Sequence, residues 1–153
     1  MQDPSENVMP QTVPNIAEAR SLSNRTRNER IVPYANIGAL LAERAEAMPD
    51  KNWLTFYDDN GRAAAFTYAE FAETARRVAA LMTGPLGLSR GDRIATLMVN
   101  DARTVLIYFG AWLLGATVVP INVGEDDERV GYILANSEVK AIFALEEQTA
   151  RLE

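Results

Sequence analysis

The most constraining feature of this sequence is an alternation of short apolar runs and helix-patterned segments between residues 93 and 145. Each run has the length and composition of a buried strand, and the segments between them carry apolar residues at helical spacing. Parallel strands need helical crossovers of about this length. The stretch therefore predicts an α/β fold with a mostly parallel sheet and flanking helices. The predicted strands are Arg93–Val99, Thr117–Ile121 and Lys140–Leu145; the predicted helices are Ala102–Leu114, capped by Asn100-Asp101, and one that follows the acidic residues 125–128 and closes at Asn136.

A helix and a β-hairpin are predicted to precede this sheet. Apolar residues recur at helical spacing between Asn36, which can cap the helix, and Pro49, which stops it. The strands Trp53–Tyr57 and Arg62–Phe66 then flank Asp58-Asp59-Asn60-Gly61, where Asn-Gly supplies the positive φ values of a tight primed turn.

A capping box marks the start of the next helix. Thr67 and Glu70 have the spacing for reciprocal side-chain-to-backbone hydrogen bonds, and Phe66 and Phe71 have the spacing of a hydrophobic staple. The apolar stripe runs from Phe71 to Met82, and Gly84-Pro85 ends the helix.

One uncharged segment, Thr104 to Gly124, approaches the length of a bilayer span. Gly115 divides it into a helix-patterned half and a β-branched half, and Pro120 lies near its end. A buried helix followed by a buried strand accounts for this segment better than a membrane anchor, so no membrane span is expected.

Residues 1–33 differ from the remainder of the chain. They hold four of the seven prolines and few large apolar residues, which predicts an irregular or disordered tail before a domain of residues 34–153. The arginines Arg25, Arg27 and Arg30 are interrupted by Glu29 and are expected to be solvated. The Asn24-Arg25-Thr26 sequon is attributed to chance.

The net charge and the first residues of the chain limit the expected partners and location. A net charge of −6 argues against a nucleic-acid partner, whose phosphates call for a basic face. The first residues lack the basic and apolar regions of a signal peptide, so a cytoplasmic location is expected.

The sequence lacks the groups used in several common reaction classes. It contains no histidine and no cysteine, which excludes a Ser-His-Asp or Cys-His arrangement and a disulfide framework within the chain. No Gly-x-Gly-x-x-Gly or Walker loop follows any predicted strand, so the sheet has no phosphate cradle of its own. The acids at 125–128 complement a helix N-terminus better than they form a metal site, and the 58–61 turn lacks calcium-loop spacing.

Three polar residues lie at predicted strand ends, where α/β proteins bind ligands: Asn100, Asp101 and Asn122. The same residue types also cap helices and form turns. We assign no catalytic, cofactor-binding or metal-binding residue from the sequence.

Four motifs, in order over about 110 residues, carry a family resemblance. They are Phe66-Thr67-Tyr68-Ala69-Glu70-Phe71, then Gly91-Asp92-Arg93-Ile94-Ala95 with Asn100, then Gly115-Ala116-Thr117-Val118-Val119-Pro120-Ile121-Asn122, and Tyr132-Ile133-Leu134-Ala135-Asn136-Ser137 with Lys140-Ala141-Ile142-Phe143. This series resembles the N-terminal portion of adenylate-forming acyl-CoA synthetases. The Val-Pro-Ile-Asn sequence is more similar to the corresponding motif of CoA ligases than to that of peptide-synthetase adenylation domains.

The resemblance implies a function for the parent protein. Such enzymes join a carboxylate to ATP, release pyrophosphate and pass the acyl group to CoA, with Mg²⁺. Their phosphate loop, ribose-binding aspartate and lid lysine lie downstream of the matched segment. The resemblance therefore implies a partial N-terminal domain that is inactive by itself and whose partner is the remainder of the ligase.

Two further expectations arise from a sheet that is cut short. A strand edge or apolar helix face left uncovered favours a homo-oligomer. The alternative function is a stand-alone, non-catalytic binding or interaction module built on the same scaffold.

Overall fold

The computed structural model describes Ser21 and residues 33–152, apart from Asp59 and Arg62. The chain divides into two compact units, Met1–Tyr34 and Ala35–Glu153. The predicted tail, its arginines and the sequon lie outside the described residues, Ser21 and Pro33 excepted.

Four α-helices and five strands make up the second unit within the described residues. In chain order they are α1 (Ile37–Ala47), β1 (Asn52–Tyr57), β2 (Ala63–Thr67), α2 (Tyr68–Thr83), β3 (Arg93–Leu97), α3 (Ala102–Leu114), β4 (Thr117–Ile121), α4 (Asp127–Ser137) and β5 (Ala141–Ala144), followed by a 3₁₀ helix, Glu146–Arg151.

The predicted α/β fold with a parallel sheet, preceded by a helix and a hairpin, is confirmed. β3 lies between β4 and β5 and is parallel to both, with Leu97 in register with Ile121 on one side and Ala144 on the other. β1 and β2 form a separate antiparallel pair. The segment 104–124 divides into α3 and β4. Over the described residues, every helix is too short or too polar to cross a membrane.

The two faces of the parallel sheet carry different helices. On one face of the sheet, Ile94 packs in a core cluster with Met82 of α2 and Ala111 of α3. Ala95 and Leu97 point to the opposite face and contact Val130 of α4. Since side chains alternate along a strand, the helices that follow β3 and β4 lie on opposite faces.

An aromatic cluster joins the hairpin to α2 and α3. Phe71 is fully buried, with its ring centroid 4.1 Å from that of Trp53 and 5.0 Å from that of Phe109. Phe66 lies edge-on to Phe71 at 6.3 Å, so the predicted staple is present. α2 and α3 pack in close contact at Gly110, where an added Cβ would lie 2.5 Å from Cγ1 of Val78.

The predicted helix caps are also present. The Thr67 hydroxyl accepts a hydrogen bond from the Glu70 N–H, and the Glu70 carboxylate accepts one from the Thr67 N–H. Asn36 caps α1 through the Ala39 N–H, at 2.8 Å. Gly115 ends α3 in the left-handed region, with φ of 83°.

Several predicted element boundaries and the predicted hairpin turn were wrong; the last strand, for example, is Ala141–Ala144 and is shorter than the predicted Lys140–Leu145. β3 ends at Leu97 because its neighbour β4 ends in register with it, so Val99 is exposed. α4 continues through Asn136 to Ser137, and Glu138 takes the left-handed cap position with φ of 50°. The hairpin does not have a two-residue primed turn at Asn60-Gly61, because Tyr57 pairs with Ala63, which leaves a longer connection between the strands. The Gly61 N–H donates to the Asp58 carbonyl, and Gly61 lies in the left-handed region with φ of 73°.

Candidate functional site

The carboxyl edge of the parallel sheet is the place where the fold could bind a ligand. β3 and β4 end side by side, and the chain leaves them toward helices on opposite faces. Loops that diverge in this way open a crevice at the strand ends, which is where open α/β sheets bind their ligands. The three polar residues singled out from the sequence all lie at this edge.

Asp101, after β3, is the N-cap of α3. Its carboxylate accepts hydrogen bonds from the Arg103 N–H at 2.6 Å and from Nε and Nη2 of the same arginine at 2.9 and 2.8 Å. The Arg103 guanidinium lowers the pKa of Asp101, and Asp101 in turn raises the pKa of Arg103. Asp101 is therefore ionised at neutral pH, and its charge is balanced by the Arg103 guanidinium. A carboxylate held in this way is not suited to act as a general base.

Asn100 precedes that cap, and its side chain is exposed. It borders two adjoining grooves between the hairpin and the start of α3. One groove, of about 320 Å³, is lined by Leu54 and Phe56 on the hairpin and by Val105 and Tyr108 on α3. The other, of about 480 Å³, extends along Phe56 to Val99 and Asp58. The first groove is largely apolar and the second is mixed in character, and both adjoin a helix N-terminus that already has its own carboxylate cap.

Asn122, after β4, closes a turn. Its side-chain oxygen accepts a hydrogen bond from the Gly124 N–H at 2.9 Å. Asp126 then caps α4 through the Arg129 N–H, at 2.7 Å. Of the predicted acidic stretch, Asp126 thus serves as the helix cap.

Arg151 holds the loop after β4 and was not singled out from the sequence. Its guanidinium donates to the Val123 carbonyl at 2.9 Å, to the Glu125 carbonyl, and to the Asp127 carboxylate at 2.6 Å. Its side chain is only 20% exposed. Because these acceptors lie 24 to 28 residues earlier, no local motif marked Arg151 as a residue of this edge.

Most polar groups at this edge thus form ion pairs or hydrogen bonds with one another. Arg103 is paired with Asp101, and Arg151 with Asp127 and two carbonyls. Within the described part of the chain, no group of three or more acidic residues is placed to hold a metal ion. The geometry is that of a stable scaffold edge with capped helices.

Comparison with known proteins identifies the scaffold. The model of the AMP-binding enzyme family matches residues 41–153, nearly three-quarters of the chain. The chain belongs to this family of AMP-binding enzymes, and it corresponds to the N-terminal part of the acyl-CoA ligases within it.

Individual relatives agree with this assignment. The chain is 36% identical over 108 residues to the long-chain-fatty-acid–CoA ligase FadD13 of Mycobacterium tuberculosis, covering 71% of this chain and 21% of the relative. It is 34% identical over 112 residues to the crotonobetaine/carnitine–CoA ligase of Salmonella paratyphi A, covering 73% and 22%. The solved N-terminal domain of FACL13 from Mycobacterium tuberculosis superimposes with a TM-score of 0.68 at 33% identity, covering 78% of this chain and 29% of that one. The chain therefore spans about a fifth of the length of the curated relatives it matches.

Proposed function

We propose that this chain is the N-terminal scaffold of an ATP-dependent acyl-CoA synthetase. The full-length enzyme joins a carboxylate to ATP, releases pyrophosphate, and transfers the acyl group from the adenylate to the thiol of CoA. The observation that carries the proposal is the family match over residues 41–153, with relatives named as CoA ligases at 34–36% identity. Mg²⁺, ATP and CoA are the cofactors and co-substrates proposed for the full-length enzyme.

The 153-residue chain is proposed to be inactive by itself. Transfer at a phosphorus centre requires cationic groups aimed at the charge that develops on the phosphate oxygens. Arg103 and Arg151, which lie beside the strand-end loops, are instead bonded to Asp101 and Asp127. No glycine-rich loop follows β3, and the sequence has neither histidine nor cysteine. We therefore assign catalytic, nucleotide and metal roles to parts of the ligase other than this segment.

The role of this segment is then structural support. It provides a three-stranded parallel sheet with helices on both faces, against which the remainder of the ligase folds. That remainder is its proposed partner, and the cytoplasm is its proposed location.

A chimeric enzyme tests this proposal. The 108 matched residues of FadD13 are replaced by the corresponding residues of this chain, and acyl-CoA formation from a long-chain fatty acid, ATP and CoA is measured. We expect thioester formation well above that of a FadD13 variant that lacks the same residues. A chimera that folds, as judged by one cooperative melt near that of FadD13, but forms no thioester would contradict the proposal.

A further inference from the structure

Arg151 links two segments that follow different strands of the parallel sheet. Its Nε donates to the Asp127 carboxylate at 2.6 Å, and its Nη1 donates to the Val123 carbonyl at 2.9 Å. Nη2 donates to the Glu125 carbonyl, and the Gln148 side chain accepts a second hydrogen bond from Nη1 at 2.9 Å. All three guanidinium nitrogens are therefore bound, so the side chain is held in one orientation.

These contacts require the chain to cross the sheet. β3 lies between β4 and β5, so the segment after β5 passes the end of β3 to reach the loop after β4, across two strand spacings or about 10 Å. The Leu145 N–H donates to the Leu97 carbonyl at the end of β3, and Leu152 packs in a core cluster with Val130 of α4. Residues 145–152 therefore lie at the carboxyl end of β3, on the face of the sheet that α4 covers.

Arg151 holds the backbone of the loop after β4 at two points. The Asn122 side chain and carbonyl accept hydrogen bonds from the N–H groups of Gly124 and Glu125, which closes a turn. The carbonyls of Val123 and Glu125 both accept hydrogen bonds from the Arg151 guanidinium. Because a charged donor forms stronger hydrogen bonds than a neutral one, Arg151 fixes the geometry of this loop.

The loop after β4 borders the crevice at the strand ends, and the chemistry there suits an acyl chain. Phosphate groups are bound by cationic side chains and by helix N-termini. At this edge, Arg103 and Arg151 are paired with carboxylates, and Asp101 and Asp126 cap the N-termini of α3 and α4. The loop also carries Val123, which packs against the core. An acyl chain is bound by apolar contacts and needs none of the groups that are already paired.

We propose that Arg151 is a positioning residue for the acyl chain of the carboxylate substrate, an inference that rests on the function proposed above. It acts through the backbone of residues 122–126, which it holds at the carboxyl end of the sheet. Without Arg151, this loop takes several conformations, and most of them lose the surface that contacts the acyl chain. The ground state and the transition state are weakened equally, so KM rises and kcat is unchanged.

A FadD13 chimera that carries residues 41–153 of this chain tests the proposal, since this segment includes Arg151. Acyl-CoA formation is measured with palmitate, ATP and CoA, each varied in turn. Arg151→Ala should raise KM for palmitate about tenfold, as expected for the loss of hydrogen bonds from a charged donor, and leave kcat and KM for ATP unchanged. A merely structural role would reduce the amount of folded enzyme, which lowers kcat and leaves every KM unchanged.

Two further variants separate the geometry of the guanidinium from its charge and from its place on the chain. Arg151→Lys keeps the charge that pairs with Asp127 but cannot span two carbonyls and a carboxylate, so KM for palmitate should stay raised. Arg129→Ala is the matched control. Arg129 also follows this loop, but it is exposed and its guanidinium lies 5.4 Å from the centroid of the Tyr132 ring. Its removal should leave kcat and every KM unchanged.

Amide hydrogen exchange on the full 153-residue chain measures the loop directly. The Glu125 N–H, which donates to the Asn122 carbonyl, should exchange about tenfold faster in Arg151→Ala and at its original rate in Arg129→Ala. An unchanged rate in both variants would overturn the proposal.

The activity of the unsubstituted chimera distinguishes failure of this inference from failure of the proposed function. An inactive, folded chimera would contradict the proposed function and this inference with it. If the chimera is active, three results would each overturn the role of Arg151 alone: a KM for palmitate that Arg151→Ala leaves unchanged, a normal KM in Arg151→Lys, or a rise in KM for ATP in place of that for palmitate.

Discussion

The contact between α2 and α3 at Gly110 leaves no room for a larger side chain. A Cβ added at Gly110 would lie 2.5 Å from Cγ1 and 2.9 Å from Cβ of Val78, and 3.2 Å from the backbone nitrogen of Ala79. Alanine stabilises a helix interior by about 0.8–1 kcal/mol relative to glycine. The Ala79 backbone nitrogen cannot move aside as a side chain can, so we place the overpacking cost in the upper half of its usual range, about 2–3 kcal/mol. Gly110→Ala should therefore destabilise the chain by about 1–2 kcal/mol.

Gly131 provides the matched control. It lies in α4, is exposed, and would have no heavy atom within 4 Å of an added Cβ. Gly131→Ala should stabilise the chain by about 0.8–1 kcal/mol. Urea unfolding measures both, and the melting temperatures should move in opposite directions by about 2–4 °C per kcal/mol.

A double-mutant cycle locates the effect at the helix contact. Val78→Ala removes the Cγ1 atom that is nearest to the added Cβ, so the two substitutions together should cost less than the sum of their separate costs. If Gly110→Ala stabilises the chain as Gly131→Ala does, α2 and α3 do not pack in close contact at Gly110.

Three further predictions concern caps and ion pairs. Thr67→Ala removes the capping box and should lower the free energy of unfolding by about 1 kcal/mol in urea titrations; an unchanged value would mean that the cap does not stabilise α2. Hydrogen bonds from Lys140 and Arg103 lower the pKa values of Asp92 and Asp101, so their stabilisation is complete above the unfolded pKa and is lost as pH falls through the lower folded pKa. The free energy of unfolding should therefore decrease below about pH 4, and Asp92→Asn combined with Asp101→Asn should flatten that decrease; an unaltered slope would assign it to other groups. Arg151→Ala should speed amide exchange at residues 148–152 about tenfold while exchange in β3 stays the same, and equal acceleration in both would refute a local role.

The elements that the sequence predicted well are those determined by neighbouring residues. The reciprocal Thr67–Glu70 bonds, the Asn36 cap and the left-handed Gly115 each depend on residues within one or two helical turns. The period of the apolar residues then separates strands from helices, and short connections between them imply a parallel sheet.

The features that escaped prediction depend on contacts between distant residues or on the exact turn geometry. β3 ends two residues early because β4 ends in register with it. The hairpin lacks a two-residue primed turn because the strands pair from Tyr57 and Ala63 outward, with Gly61 left-handed in the longer connection. At the candidate site, the edge that bears Asn100, Asp101 and Asn122 could be predicted from strand order. The hydrogen bonds from Arg151 to the loop after β4 could not be predicted, since they join residues 24 to 28 positions apart in the sequence.

ATP–pyrophosphate exchange shows directly whether this segment is a scaffold whose catalytic groups lie elsewhere in the ligase. The 153-residue chain is incubated with Mg²⁺, ATP, labelled pyrophosphate and a panel of fatty and aromatic carboxylates, beside FadD13 as the positive control. We predict label in ATP for FadD13 and none above the no-enzyme blank for this chain with any carboxylate. Carboxylate-dependent exchange by the chain alone would contradict the scaffold assignment.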